Sequence, residues 1–289
     1  MSNYILTATC FYHTEIIAVI SGYLSEKRCE ILEISQYYDL NNKKKFMRVN
    51  FILGENIALK NIIEDLKIIA NQISLEFAIN NPRELVKTII LVSRFDHCLR
   101  DLLYRWHNGA LSVDIVGVIS NHPQHQKLVM DYDLPFYYIP VNKNSKRESN
   151  DKLITIIEKN NVELLILARY MQILSNEICE KMSGRIINIH HSFLPSFKGA
   201  NPYKQAHEAG VKMIGATAHY VTSILDEGPI IEQDTIRVTH AQNIADYVVM
   251  GRDLETKVLA YAVKAHIQYR VFINDKKTIV FPEGDNYYS

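Results

Sequence analysis

The sequence lacks an excess of charge of either sign. Lys plus Arg number 32 and Asp plus Glu also 32, so the formal net charge is zero. A dedicated nucleic-acid binder carries basic residues in excess to neutralise phosphates, so that class is disfavoured. Hydrophobic residues make up 47% of the chain, yet no uninterrupted apolar run reaches the ~18 residues of a membrane span. The opening, MSNYILTATCFYHTEIIAV, has no basic n-region and alternates like a strand, which argues against a signal peptide. Cysteine is scarce: Cys10, Cys29, Cys98 and Cys179 are scattered and form no C-x-x-C pair. Thiols in a reducing cytoplasm are expected, in place of a disulfide framework or a zinc site. The chain also has no G-x-S-x-G elbow, no internal repeat and no low-complexity segment. With no elbow and no activated cysteine in view, any nucleophile is expected to come from outside the protein.

What is present divides into two halves. Residues 4–80 read as strand, helix, strand, strand, helix, strand. YILTATC alternates, HTEIIAVISGYLSEK has apolar residues at helical spacing, and the turn NNKKK separates two further strands. NIALKNIIEDLKIIANQI is a second amphipathic helix and SLEFAI a last strand. This βαββαβ order is that of ferredoxin-like domains. NNPRE, at 80–84, is the break, which predicts domains at 1–82 and 83–289. The second half is α/β: VKTIILVS, VDIVGVIS, FYYIP, ELLILAR and RIINIH are short apolar runs suited to strands buried on both faces. Helical segments lie between them, so a Rossmann-like, mostly parallel sheet is expected. VKMIGATAHYVT and GPIIEQDTIRV, joined by SILDE, predict an antiparallel hairpin near the sheet edge. A long helix over roughly 242–266 and a short tail follow.

One strand end stands out. IINIHHSFLPSFKG, residues 186–199, places Asn188, His190 and His191 in an apolar run. Residues two apart in a strand share a face, so Asn188 and His190 project together at the carboxyl end of a parallel strand. Ligand crevices of open α/β sheets form at such ends. An imidazole moves a proton near neutral pH, and an amide NH₂ can donate to a developing oxyanion. Asp226, in LDEG between the two late strands, is a candidate to orient the imidazole. Taken alone, such an Asn or His more often caps or meets solvent. Metal is disfavoured, because His190 and His191 face opposite sides and neither His207 nor His219 has a partner at ligand spacing.

LARYMQIL, IINIHHSFLPSFKGANPYKQAHEAGVKMIGATAHYV and LDEGPIIEQDTIRV resemble the folate-dependent formyltransferase superfamily. Within it, the run from Asn188 to Tyr203, with DHCLRDLL and GRDLE, is similar to the formyltetrahydrofolate deformylase family. The resemblance covers nearly the whole chain. It implies an N-terminal ACT domain, the formyltransferase fold, and a catalytic trio on Asn188, His190 and Asp226. It implies a folate-binding segment at Met171, Gln172 and Leu174, with Thr217 and His219 as further substrate-binding positions. The implied reaction is hydrolysis of 10-formyltetrahydrofolate to tetrahydrofolate and formate, supplying formate for purine biosynthesis and balancing one-carbon pools. The folate is substrate and water the acceptor, and no cofactor or metal is implied. Cytoplasmic homo-oligomers joined through ACT domains are expected, without nucleic-acid or membrane partners.

Two features refine this expectation. Phosphoribosylglycinamide formyltransferases carry a glycine-rich phosphate loop after the first strand, where this chain reads VSRFDHC, residues 92–98, with no glycine. A phosphate cradle needs close backbone approach, so transfer to a phosphorylated acceptor is the weaker alternative. A non-enzymatic amino-acid sensor is opposed by the intact trio. In ACT domains of this family the first turn resembles P-D-x-x-G, but here Phe11-Tyr12-His13-Thr14-Glu15 stands there. The acid and the glycine are gone, so effector binding is not expected while subunit pairing is.

Overall fold

The computed structural model describes residues 3–11, 15–142, 145–197, 199 and 201–284. Tyr12, His13 and Thr14 of the first turn lie outside the described residues. The chain forms two compact units, one of Met1–Glu84 with Gln268–Phe272 and Ile279–Ser289, the other of Leu85–Ile267 with Ile273–Thr278.

In the first unit, β1 (Asn3–Phe11), α1 (Ile16–Glu26), β2 (Glu30–Asp39), β3 (Lys44–Ile52), α2 (Leu59–Ile73) and β4 (Glu76–Asn80) follow the expected order. The antiparallel sheet runs β2-β3-β1-β4. Leu6 and Ala8 of β1, Met47, Val49 and Phe51 of β3, and Ile16, Ile20, Ile62 and Leu66 of the helices form its core. The other face of β3 is covered as well, which alternation in residues 4–80 could not show. Phe46 packs edge-on against Phe272 at 5.8 Å, and Arg48 Nε donates to the Gln268 carbonyl at 3.3 Å. Arg48 is buried and bonds Glu33 at 2.9 Å. The expected short tail is therefore a covering segment for this sheet.

The second unit comprises β5 (Val86–Val92), α3 (His97–His107), β6 (Val113–Ser120), α4 (Gln126–Met130), β7 (Phe136–Tyr138), α5 (Lys146–Lys159), β8 (Leu164–Ala168), α6 (Asn176–Lys181), β9 (Ile186–His190), α7 (Pro202–Glu208), β10 (Met213–Tyr220), β11 (Ile230–Arg237) and α8 (Ile244–Ile267). Two short strands, β12 (Val271–Asn274) and β13 (Lys277–Val280), pair with each other near the chain end. The seven-stranded sheet has the order β11-β10-β9-β8-β5-β6-β7. Strands β5 to β9 pair in parallel, while β10 runs antiparallel to both β9 and β11, as the hairpin predicts. All five residues of β8 are buried, as strands covered on both faces require. The strand order reverses between β5 and β8, so their carboxyl ends mark the switch point where such sheets bind ligands. Helix α8 turns Tyr247, Leu254, Val258, Ala262 and Ala265 inward at helical spacing. The same stripe holds a buried acid, Glu255. Among the described residues no helix is long and apolar enough to cross a membrane.

Candidate active site

Strands β8 and β9 end beside a cavity of about 290 Å³, near the lower bound of small-molecule sites, roughly 300 Å³. Its walls are mostly apolar: Leu167, Tyr170, Ile173, Leu174, Ile224 and Leu225 among them. Asn188, His190 and Asp226 all line it, as do Met171, Gln172 and Leu174. The segment after β8 is held by β5's end. Ser93 N–H donates to the Arg169 carbonyl at 3.3 Å, and Met171 N–H donates to Ser93 Oγ at 2.9 Å.

The polar corner is set by strand register. Asn188 stands opposite His219 and His190 opposite Thr217 across β9 and β10, and opposed residues share a face. His219 Nδ1 lies 2.9 Å from the Tyr220 carbonyl, which can only accept, so Nδ1 carries the proton. Burial disfavours the charged ring and lowers its pKa, against smaller raising effects from Tyr220 and Asp226. The neutral ring then offers Nε2 as acceptor to Asn188 Nδ2 at 3.1 Å. That bond fixes which end of the amide is NH₂ and leaves its second N–H for the cavity.

His190 is buried and its Nδ1 lies 3.3 Å from Asp226 Oδ1. A carboxylate accepts, so Nδ1 donates and Nε2 is the free nitrogen. Nε2 is buried and has no hydrogen-bond partner. The hydrogen bond from His190 lowers the Asp226 pKa, outweighing burial. Asp226 sits in the left-handed region at φ 55, which Asp tolerates better than most residues. The loop it occupies returns tightly to the sheet. A Cβ on Gly228 would lie 1.7 Å from the Tyr220 carbonyl oxygen, so only glycine fits there.

The other expected positions fall differently. Thr217 is fully buried and off the cavity lining. Its hydroxyl donates to the Ser192 carbonyl at 2.8 Å and accepts from Leu194 N–H at 3.0 Å and Gln233 Nε2 at 2.9 Å. Thr217 therefore holds the 192–194 turn. His219 reaches the cavity wall but spends both ring nitrogens within the protein, so it positions Asn188. His191 does not point away from His190: the two rings lie 5.2 Å apart and both line the cavity. The chain leaves β-geometry after His190, so strand alternation ends one residue too soon. Burial, reinforced by Arg169, lowers the His191 pKa to about 3, which keeps that ring neutral.

Sequence reasoning also missed a buried network behind His191. Glu255 receives His97 Nε2 at 2.8 Å and the Tyr203 hydroxyl, with Arg169 Nε 3.4 Å away. Burial pushes the Glu255 pKa up, but His97, Arg169 and Tyr203 outweigh it and hold the group below its ordinary value. Helix α8 closes on Tyr203 at Gly251, where a Cβ would lie 2.2 Å from the ring. The available signal was an acid on the apolar stripe of α8, since a buried charge demands partners. Among the described residues, His97, Cys98 and Glu255 are grouped closely enough to share an ion, their ligand atoms lying within 4.8 Å of one another. His97 and Glu255 already bond each other, and burial with Glu255's charge raises the Cys98 thiol well above its ordinary value. This is the arrangement of an ion-pair network.

Comparison with known proteins bears on the same residues. A formyl transferase family model matches residues 86–263, which include every residue of this cavity. The chain is 42% identical over 280 residues to a formyltetrahydrofolate deformylase from Corynebacterium sp. (strain P-1), covering 96% of this chain and 98% of that one. It superposes on the crystal structure of a formyltetrahydrofolate deformylase from Pseudomonas syringae pv. tomato with a TM-score of 0.94 at 40% identity, covering 98% of this chain and 95% of that one. A phosphoribosylglycinamide formyltransferase from Anaplasma phagocytophilum is more distant, at 28% identity and a TM-score of 0.63 over 70% of this chain and 97% of that one. Likeness to the deformylases runs through both units and far exceeds likeness to the transferase, so this chain belongs to the formyltetrahydrofolate deformylase family.

Proposed function

We propose that this protein hydrolyses 10-formyltetrahydrofolate to tetrahydrofolate and formate, with water as the acceptor. The observation that carries this reading is the buried, partnerless His190 Nε2, on a ring that lines an apolar cavity together with Asn188 and Asp226. Leaving such a nitrogen unsatisfied costs about 1–3 kcal/mol, a cost expected where the group meets substrate. The apolar wall from Leu167 to Leu174 and the Ile224–Leu225 turn receive the folate ring system, with Met171, Gln172 and Leu174 along it.

In this mechanism His190, its Nδ1–H held by Asp226, takes a proton from water at Nε2 as the oxygen attacks the formyl carbon. Asp226 stabilises the imidazolium that results. The tetrahedral oxyanion is met by the free Asn188 N–H and by the imidazolium in turn. His190 then delivers its proton to N10 as the C–N bond breaks. Tetrahydrofolate and formate leave, and one proton goes to solvent. The formyl carbon keeps its oxidation state, so the step calls for no redox cofactor, and none is proposed; nor is a metal.

Transfer to phosphoribosylglycinamide is the second reading. The glycine-free segment at Ser93–Asp96 weighs against it, because a phosphate cradle needs close backbone approach. We infer further that the protein works in the cytoplasm, where its formate feeds purine biosynthesis. All four cysteines remain buried thiols, which fits a reducing compartment. The ferredoxin-like strand order of the first unit supports an ACT-like assembly role for residues 1–82, joining subunits into a homo-oligomer. Light scattering returning a monomer mass would refute that last part.

Incubation with 10-formyltetrahydrofolate, with and without phosphoribosylglycinamide, tests the reaction. Equal formate release in both arms is expected. Formyl transfer with no formate formed would overturn the proposal.

A further inference from the structure

A second cavity, of about 150 Å³, carries charges that the hydrolysis leaves unused. Phe95, His97, Arg169, Tyr203, Arg252 and Glu255 are among its lining residues. Arg169 and His191 line both cavities, so together they form the wall between the two. Arg169 is only 8% exposed, and its Nε and Nη1 are buried without hydrogen-bond partners. Its Nε lies 3.4 Å from Glu255 Oε2, outside hydrogen-bond geometry. Both oxygens of Glu255 are already taken, by His97 and Tyr203. The backbone holds Arg169 at φ 63, a region that residues other than glycine seldom adopt.

Cations dominate this cavity. Arg169 and Arg252 lie 5.8 Å and 5.1 Å from the Phe95 ring centre, a contact that holds guanidinium groups without neutralising them. Lys204 also lines it, 3.7 Å from Glu208. Arg169 and Arg252 thus share this cavity with one carboxylate whose acceptors are occupied, and Lys204 stands at its wall paired with Glu208. Such an arrangement suits a small anion with two oxygens in one plane, the shape that a guanidinium fork binds.

We propose that this second cavity receives the formate anion released by hydrolysis, with Arg169 as its principal ligand. The inference rests on the proposed function, which produces formate on the His190 side of the wall. Formate left there would stand beside the Asp226 carboxylate, where like charges repel. The partnerless Arg169 lies in the shared wall, while Lys204 and Arg252 line only the second cavity and make it the more positive of the two. The field therefore draws the product away from the catalytic corner while tetrahydrofolate still fills the first cavity.

The test is titration of the full-length, folate-free protein with ¹³C-formate, followed by broadening of the formate resonance. Saturable binding is expected, and loss of one charge-assisted contact in Arg169→Gln or Arg252→Ala should weaken it at least ~10-fold. Arg169→Gln removes the countercharge from buried Glu255 and can unfold the chain, so the half-buried Arg252 supplies the second variant. No saturable binding, or equal binding in a folded Arg252→Ala protein, would overturn the proposal. Inorganic phosphate titrated in parallel should bind more weakly. Tighter phosphate binding would overturn the formate assignment in favour of a phosphorylated ligand. Formate binding without formate release from 10-formyltetrahydrofolate would refute the hydrolysis and leave the anion site standing. Hydrolysis without formate binding would refute the site alone.

Discussion

Strands β3 and β9 both place polar side chains where apolar ones are expected, and they resolve the conflict in opposite ways. In β3 the buried Arg48 gives its Nη1 to Glu33 and its Nε to the Gln268 carbonyl. In β9 the buried His190 is tied at Nδ1 by Asp226, while Nε2 has no partner. A satisfied buried polar group joins elements of a fold, whereas an unsatisfied one is a cost that the fold retains. With total stabilities of roughly 5–15 kcal/mol, a deficit of about 1–3 kcal/mol is large. The contrast teaches that burial of a polar group says little until each of its atoms is followed to a partner.

The largest effects are expected at the unsatisfied end. Asp226→Asn should keep the fold and lower turnover at least ~100-fold, the range for a positioned acid–base or electrostatic group. His190→Ala should do the same without recovery on adding zinc, measured as formate release. Near-normal rates in a folded variant of either kind would remove the trio from the mechanism. His219→Leu comes next, at about 10- to 100-fold in kcat with KM little changed, because it frees the Asn188 amide without touching substrate. In an Asn188→Ala background the same change should cost little more, since a positioning residue acts through its partner. Additive losses would give His219 a role of its own.

The satisfied end should respond in stability. Phe272→Ala uncovers Phe46 and should cost about 1–3 kcal/mol in denaturant unfolding, with kcat/KM of the folded enzyme unchanged. A loss of activity with stability intact would contradict the division of labour. The acid side offers a finer test. Asp226 has its pKa lowered in the folded state, so its pairing stabilises the fold above the ordinary carboxylate value, ~3.9. That contribution disappears as pH falls through the lowered pKa. The Tm difference between the native protein and Asp226→Asn should therefore narrow below about pH 4. The smallest effect expected is that of free glycine or methionine at millimolar levels, which should change activity little. Glu15, beside the altered turn, is largely exposed and lies 3.4 Å from Lys45. Its charge would meet an amino-acid carboxylate unfavourably. Tight calorimetric binding of either amino acid would contradict this.

Much of this is legible in the sequence. Alternation with period two put Asn188 and His190 on one face, and the polar SILDE turn marked a hairpin whose loop carries Asp226 to them. The order βαββαβ followed from apolar spacing alone. What escaped had no local signature. Thr217 shares the face of His190, but its hydroxyl is spent on a turn whose position depends on chain crossing the sheet edge. His191 joins His190 because the strand ends there, and a strand's end is where periodicity stops informing. The return of Phe272 to the first sheet is a contact more than 200 positions away from Phe46, invisible to any window on the sequence. Glu255 left a trace, as a charge on an apolar stripe, but its partners come from three separate segments.

In the proposed reaction water, activated at His190, attacks the formyl carbon. The most direct measurement is a reaction in H₂¹⁸O with 10-formyltetrahydrofolate as the only other reactant, and mass analysis of the formate. Formate carrying one ¹⁸O, formed in equal amount with tetrahydrofolate, is expected. Formate without the label, or no formate until a second acceptor is supplied, would contradict it.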